Sequence, residues 1–167
     1  MYISIRQATI QDTVIVSDVL LEAALWLQQR GMTLWHDSEI SPESISEDVA
    51  NGLFFIAESA GEPVGTIKFQ LEDLLFWPDI SQEESAFVHR LAVRRRYSGG
   101  KVSSALLTWA VEHAQTLGKH YLRLDCKASR SRLRAIYENF GFRHHSDRQV
   151  GAYFVSRYEY EIPAQIS

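Results

Sequence analysis

SAFVHRLAVRRRYSGGKVSSALLTWAVEHAQTL, Ser85 to Leu117, decides the fold. Its first part, Ser85–Val93, carries Phe87, Val88, Leu91, Ala92 and Val93, a short apolar run suited to a mostly buried strand. A basic turn follows, Arg94, Arg95 and Arg96 and then Tyr97-Ser98-Gly99-Gly100-Lys101. From Val102 the apolar residues Val102, Leu106, Ala110, Ala114 and Leu117 recur at helical spacing, and Gly118 stops the helix. A strand that enters a helix through such a turn aims backbone N–H groups and the positive helix end at one point, which is a place for an anion. Arg90–Lys101 holds five basic residues and no acidic one, in a chain of net charge −4. That island suits phosphate groups; a solvated basic turn at a helix start has the same composition.

Leu91-Ala92-Val93 followed by Tyr97-Ser98-Gly99-Gly100-Lys101-Val102-Ser103-Ser104-Ala105-Leu106-Leu107 resembles the central motif of the GNAT N-acetyltransferases. The resemblance implies that the strand is splayed from its neighbour and pairs with the pantetheine arm of acetyl-CoA, while the turn and helix start bind the pyrophosphate. Leu91, Ala92, Val93, Arg96, Ser98, Gly99, Gly100, Lys101, Val102, Ser103 and Ser104 are then the cofactor-binding residues. The family pattern is Arg/Gln-x-x-Gly-x-Gly/Ala. Here Ser98 stands at its first position and Lys101 at a glycine position, so that Lys101 either crowds the pyrophosphate or brings a charge to it. Gly99, Gly100 and the small Ser103 keep the character.

A second block is similar to the family's closing motif. Tyr121–Cys126 reads as a strand, Arg130–Asn139 as a short helix, and Leu133, Ile136-Tyr137 and Gly141-Phe142 follow in the family's order. Arg130 stands where the family often has Asn, and joins the expected cofactor contacts. The resemblance places Tyr137 beside the cofactor sulfur as the acid for the departing thiolate. A core tyrosine next to Ile136 is the plain alternative.

The rest of the chain supports one domain, residues 1–167, of the α/β (α+β) class. We expect a mixed, mainly antiparallel sheet of about six to seven strands, split at Ser85–Val93, with helices on both faces. Tyr2–Ala8 reads as a strand. Asp12 reads as the N-cap of a helix burying Val16, Val19, Leu20, Ala23, Ala24 and Leu27 and ended by Gly31. Met32–Ile40 reads as a loop with Trp35 and His36, and Ser41-Pro42-Glu43 opens a second helix. Leu53–Glu58 and Val64–Leu71 read as an antiparallel pair around a turn at Gly61-Glu62-Pro63. Glu72–Glu84 interrupts the pattern with Leu74, Leu75, Phe76 and Trp77, and reads as a loop packed on the sheet, with a pocket wall or a dimer contact as the functional alternative. Gly141–His145 and Ala152–Tyr160 read as closing strands around Ser146–Gly151.

Acetyl transfer needs a proton acceptor for the amine, a donor for the tetrahedral oxyanion and a proton for the thiolate. His89 is the candidate base. It shares strand parity with Phe87 and Leu91, and imidazole has a suitable ordinary pKa. A histidine hydrogen-bonded beneath the sheet is the competing reading, and Glu84 the alternative base. Cys126 reads as a buried inert thiol; direct transfer, as the resemblance implies, needs no covalent cysteine. No residue spacing suggests a metal site, since His144 and His145 would point apart on a strand. The single cysteine permits no intrachain disulfide and fits a cytoplasmic protein. No apolar run approaches membrane-span length. Net acidity argues against nucleic acid. Asp37, Glu39, Glu72, Asp73, Asp79, Glu83 and Glu84 would attract a cationic amine.

The expected activity is therefore acetyl transfer from acetyl-CoA to a primary amine of a small molecule, with a homodimer contact through the apolar loop as the functional alternative for that segment. A non-catalytic acyl-CoA-binding protein is the alternative that the altered turn suggests.

Overall fold

The structure is a computed structural model and describes residues 1–164. Its strands are β1 (Ser4–Gln7), β2 (Phe54–Ser59), β3 (Glu62–Gln70), β4 (Ser85–Val93), β5 (Tyr121–Lys127), β6 (Arg143–Val150) and β7 (Tyr153–Glu161). The helices are α1 (Thr13–Gln28), α2 (Asp37–Ile40), α3 (Pro42–Ala50), α4 (Lys101–Thr116) and α5 (Ser131–Phe140). The seven strands form one sheet in the order β1-β2-β3-β4-β5-β7-β6. The β4–β5 pair runs parallel; β1–β2, β2–β3, β5–β7 and β6–β7 run antiparallel. The mixed, mainly antiparallel sheet expected from the sequence is thus present.

The chain divides into two compact units. One comprises Met1–Lys68 and Arg90–Leu107, the other Phe69–His89 and the chain from Thr108 onward. Residues 165–167, part of the expected single domain, lie outside the described residues.

In the first unit, alternation along β2 sends Phe54 and Ile56 into a core with Val16, Val19, Leu20 and Ala24 of α1 and Ile45 and Val49 of α3. Gly65 on β3 pairs with Ala57, one step out of phase with Ile56, and so faces the other side. There α4 lies so close that a Cβ on Gly65 would meet Val102 at 2.9 Å and Leu106 at 3.2 Å. Helices therefore cover both faces within this unit.

Local capping differs in detail from the sequence reading. Asp12 does precede α1, but its carboxylate turns backward. It accepts two bonds from Arg6, at 2.7 and 2.9 Å, and one from the Thr9 N–H at 2.8 Å. The Arg6 bonds hold it well below the usual carboxylate range. Residues 37–40 form the short α2 rather than loop. Ser41 caps α3 as expected, its hydroxyl accepting from the Ser44 N–H. The β2–β3 turn falls on Ala60-Gly61, both at positive φ, with Glu62 and Pro63 already in β3.

In the second unit β5, β7 and β6 form an antiparallel group. Residues 146–150, read as loop, extend β6, because pairing with β7, including its buried residues Val155, Ser156 and Arg157, outweighs their polar composition. The turn is Gly151-Ala152, Val150 pairing with Tyr153. The 72–84 segment packs as a loop around Trp77, which is fully buried beside Phe87, His145 and the guanidinium groups of Arg123 and Arg157. Gln82 staples it, accepting from the Asp73 N–H and donating to the Trp77 carbonyl, both at 2.7 Å. Leu74 and Leu75 stay exposed.

Gly65→Ala tests the close approach of α4. The Cβ has a backbone atom, the Ala92 carbonyl oxygen at 3.0 Å, as well as Val102 to displace. Overpacking of this kind costs about 1–3 kcal/mol, so urea denaturation should give a lower midpoint at unchanged slope. An unaltered midpoint would show that α4 moves aside freely.

Candidate active site

The basic turn belongs to the first unit. Gly99 and Gly100 hold φ of +132° and +97°, a region side chains rarely adopt, and the space where a Cβ would stand is open at both. The first recorded helical bond of α4 runs from the Ser104 N–H to the Gly100 carbonyl at 2.9 Å, so the amides of Lys101, Val102 and Ser103 precede it at the positive helix end. Ser98, Gly99, Gly100, Lys101 and Ser104 are exposed, Ser103 is half-buried and donates to the Gly100 carbonyl, and Val102 is core. On the strand before the turn, Ala92 is buried and Leu91 and Val93 are half-buried. Open space, glycine backbone and helix amides fit a pyrophosphate group.

The basic island is mostly structural. Arg94 pairs with Asp18 at 2.8 Å and Glu22 at 3.3 Å on α1. Arg95 lies over the Trp26 ring at 3.6 Å, and its N–H donates to Glu22. Arg90 faces Glu39 at 3.7 Å and lies over Trp35. These side chains tie the turn to helices; Arg96, over the Tyr97 ring, and Lys101 are further cations of the turn, both exposed.

The second unit holds the titratable centre. The parallel pairing of β4 with β5 runs from Ser85↔Tyr121 to Phe87↔Arg123. Two residues on, His89 and Asp125 stand across from each other, the imidazole Nδ1 3.8 Å from the Asp125 Oδ2. The opposite ring nitrogen, Nε2, lies 2.8 Å from Oδ2 of Asp73, which arrives from the Trp77 loop. Burial alone would raise the Asp73 carboxyl, but the His89 bond and charge, with the Phe76 and Leu75 N–H groups, hold it below its ordinary value. Asp125 is the reverse: its side chain is 8% exposed, its Oδ2 is buried without a hydrogen-bond partner, and burial pushes its carboxyl up to about 6.

Tyr137 projects from α5 into the core, edge-on to Phe142. Burial pushes its phenol well above the ordinary value, and the Arg130 guanidinium pulls the other way. It is thus a protonated donor at neutral pH. Arg130 stands at the N-terminus of α5, in this unit and apart from the glycine turn in the chain; burial lowers its pKa. Asp125 acts electrostatically on both His89 and Tyr137. Cys126 is buried, and burial pushes its thiol up to about 11, which suits the inert role.

Sequence reasoning missed Asp73 as a partner and Asp125 altogether. The available signal was one acid in the otherwise buried strand Tyr121–Lys127. Between His89 and Leu91, Arg90 adopts φ +55°, a departure from regular strand backbone. Glu84, the alternative base, is exposed and 3.8 Å from His120. Of the acidic residues, Asp73 serves His89, Glu39 faces Arg90, and Asp79 takes two bonds from Arg157, at 2.7 and 3.0 Å, while Asp37, Glu72, Glu83 and Glu84 are exposed. Asp73, His89 and Asp125 each offer a ligand atom within 4.8 Å of the others, a donor set that no sequence spacing displays. The two carboxylates face different ring nitrogens, however, so one nitrogen and both carboxylates meet at a single ion only if the ring turns.

The sequence profile of the Acetyltransferase (GNAT) family matches residues 21–142, and the chain belongs to that family. It is 28% identical over 141 residues to the uncharacterized N-acetyltransferase YesJ of Bacillus subtilis (strain 168), covering 81% of this chain and 78% of that protein. Among solved structures, a GNAT-family acetyltransferase from Listeria monocytogenes 4b F2365 superposes with a TM-score of 0.80 at 24% identity, over 95% of this chain and 94% of that one. The PaiA N-acetyltransferase of Thermoplasma acidophilum, solved with coenzyme A, gives 0.78 at 21% identity, over 96% and 99%. The protein is an acetyl-CoA-dependent acyltransferase.

The buried Asp125 has a measurable consequence. A carboxyl raised to about 6 from 3.8 costs folding energy whenever it is ionised, fully above about pH 6 and not at all below its unfolded pKa. Asp125→Asn should therefore stabilise the protein at pH 7.5, by on the order of 1–3 kcal/mol, and the gain should shrink toward pH 4. Urea melts at both pH values check this; a gain independent of pH would contradict it.

Proposed function

We propose that the enzyme transfers acetyl directly from acetyl-CoA to the primary amine of a small molecule, with His89 as general base and Tyr137 as general acid. The observation that carries the reading is His89, held by Asp73 on one nitrogen and faced by Asp125 on the other. The co-substrate, when bound, supplies the thioester carbonyl and the thiolate that leaves. The amides at the start of α4, with Ser98, Gly99, Gly100, Lys101 and Ser103, hold its pyrophosphate, and Arg96 adds charge. The backbone of Leu91–Val93 lies along its pantetheine arm and offers an N–H to the oxyanion. His89 accepts the proton of the attacking amine. Tyr137 gives its proton to the sulfur, and the Arg130 charge eases the phenolate left behind. Arg130 is also a cofactor contact.

Several further readings are supported more coarsely. The family match runs through residues of both units, which favours one GNAT-like domain. Among the described residues no helix is long and apolar enough to cross a membrane. The lone thiol favours a cytoplasmic location, and the exposed Leu74 and Leu75 favour a homodimer contact.

Calorimetric titration with acetyl-CoA and with CoA, then a panel of polyamines, amino acids and aminoglycosides followed by thiol release, tests the function. We expect binding on the order of micromolar and turnover with at least one amine; no binding at high cofactor concentration overturns it. Gly100→Ala forces a Cβ onto φ +97° and should weaken binding several-fold in the same titration. Tyr137→Phe should lower kcat tenfold or more with CoA affinity unchanged. Equal kcat in a chemistry-limited assay removes Tyr137 from the mechanism.

A further inference from the structure

His89 lies between two acids that arrive from different parts of the second unit, and the contacts are unequal. The 2.8 Å contact of Nε2 with Asp73 is a full hydrogen bond, and an ionised carboxylate can only accept it. The 3.8 Å separation of Nδ1 from Asp125 is too long for one, and the Asp125 Oδ2 has no other hydrogen-bond partner. The proton of the neutral imidazole is therefore on Nε2, and the lone pair on Nδ1. We propose that Asp73 and Asp125 are positioning residues for the base. Asp73 fixes the tautomer that leaves Nδ1 open, and Asp125 holds the imidazolium once Nδ1 has taken the amine's proton. This rests on the reading of His89 as base.

The proton balance is simple. The amine loses one proton to Nδ1 as its nitrogen bonds the acetyl carbon and the carbon–sulfur bond breaks. The imidazolium then donates through Nε2 to Asp73, as before, and through Nδ1 toward the Asp125 oxygen. An imidazolium satisfies an acceptor that neutral imidazole leaves bare. The charged and titratable groups that act on Asp125 are His89, Asp73 and Arg157. Cys126 and Tyr137 also feel it, but both are raised by burial and stay neutral at neutral pH. Phe76, 5.9 Å from the imidazole centroid, is the aromatic neighbour of the ring. Arg157 favours the ionised Asp125, so the carboxylate is available to the imidazolium near neutrality.

Long-range 1H–15N NMR of the histidine side chains tests this without substrate or cofactor. Spectra of the labelled full chain are taken in EDTA from pH 5 to 9, and the His89 signals are assigned by their loss in His89→Gln. The expected neutral form carries its proton on Nε2. Asp125→Ala should keep that tautomer and move the Nδ1–H proton signal of the imidazolium upfield, because its carboxylate acceptor is gone. Asp73→Asn should give mixed tautomers. Asp73→Glu, which keeps a carboxylate, should restore the Nε2 form in part. A wild-type proton on Nδ1 overturns the proposal, as does an Nδ1–H signal indifferent to Asp125→Ala. The expected spectra from a protein that acetylates no amine would instead refute the function while the proton placement stood.

Discussion

The left-handed turn of Arg90 inside β4 is the constraint on which the candidate site depends. A bulky side chain at φ +55° costs roughly 1–2 kcal/mol, and a strand has no intrinsic reason to accept it. Its guanidinium lies over Trp35 and faces Glu39, contacts that hold the side chain where the backbone needs it. The irregularity falls between His89 and Leu91. On one side the strand still follows the alternation begun in its paired stretch with β5, and His89 faces Asp125. On the other, the strand continues toward the glycine turn.

The acids around His89 illustrate two ways to bury a charge. Asp73 is compensated: the imidazole and two backbone N–H groups outweigh the burial that would otherwise keep it protonated. Asp125 is not, and burial keeps its carboxyl near 6. A fold selected for stability alone would replace it with an amide or a hydrocarbon. An uncompensated buried acid beside a histidine is the kind of local expense that persists where a charge appears during a reaction.

Much of this was legible in sequence because it is local. The α4 periodicity, the Gly99-Gly100 turn, the Ser41-Pro42 helix start and the antiparallel pair around Gly61 each announce themselves within a dozen residues. What was illegible depends on distant partners. Arg94 and Arg95 read as phosphate ligands until α1 supplies Asp18, Glu22 and Trp26. The residues from Ser146 to Val150 are polar, and only their pairing with β7 makes them strand. Asp73 is 16 residues from His89 in the chain, within a loop whose shape is set by the burial of Trp77. The positive φ of Arg90 has no composition signal at all, since arginine is a poor choice for it.

The altered turn need not weaken the pyrophosphate site as its sequence suggests. The family pattern specifies side chains at positions now held by Ser98 and Lys101, yet the principal donors at a helix start are backbone amides, which any residue but proline supplies. What the backbone requires is the positive φ at Gly99 and Gly100, and both glycines remain. The residues that changed are exposed, with open space around the glycines between them. Lys101 stands at the first position of α4, where its long stem can carry the ammonium outward while its own N–H stays in the cradle. A charge at that position opposes the helix dipole slightly in the free protein. A phosphate-bearing ligand reverses that sign, so the cost of Lys101 to the empty turn becomes a contribution to the filled one.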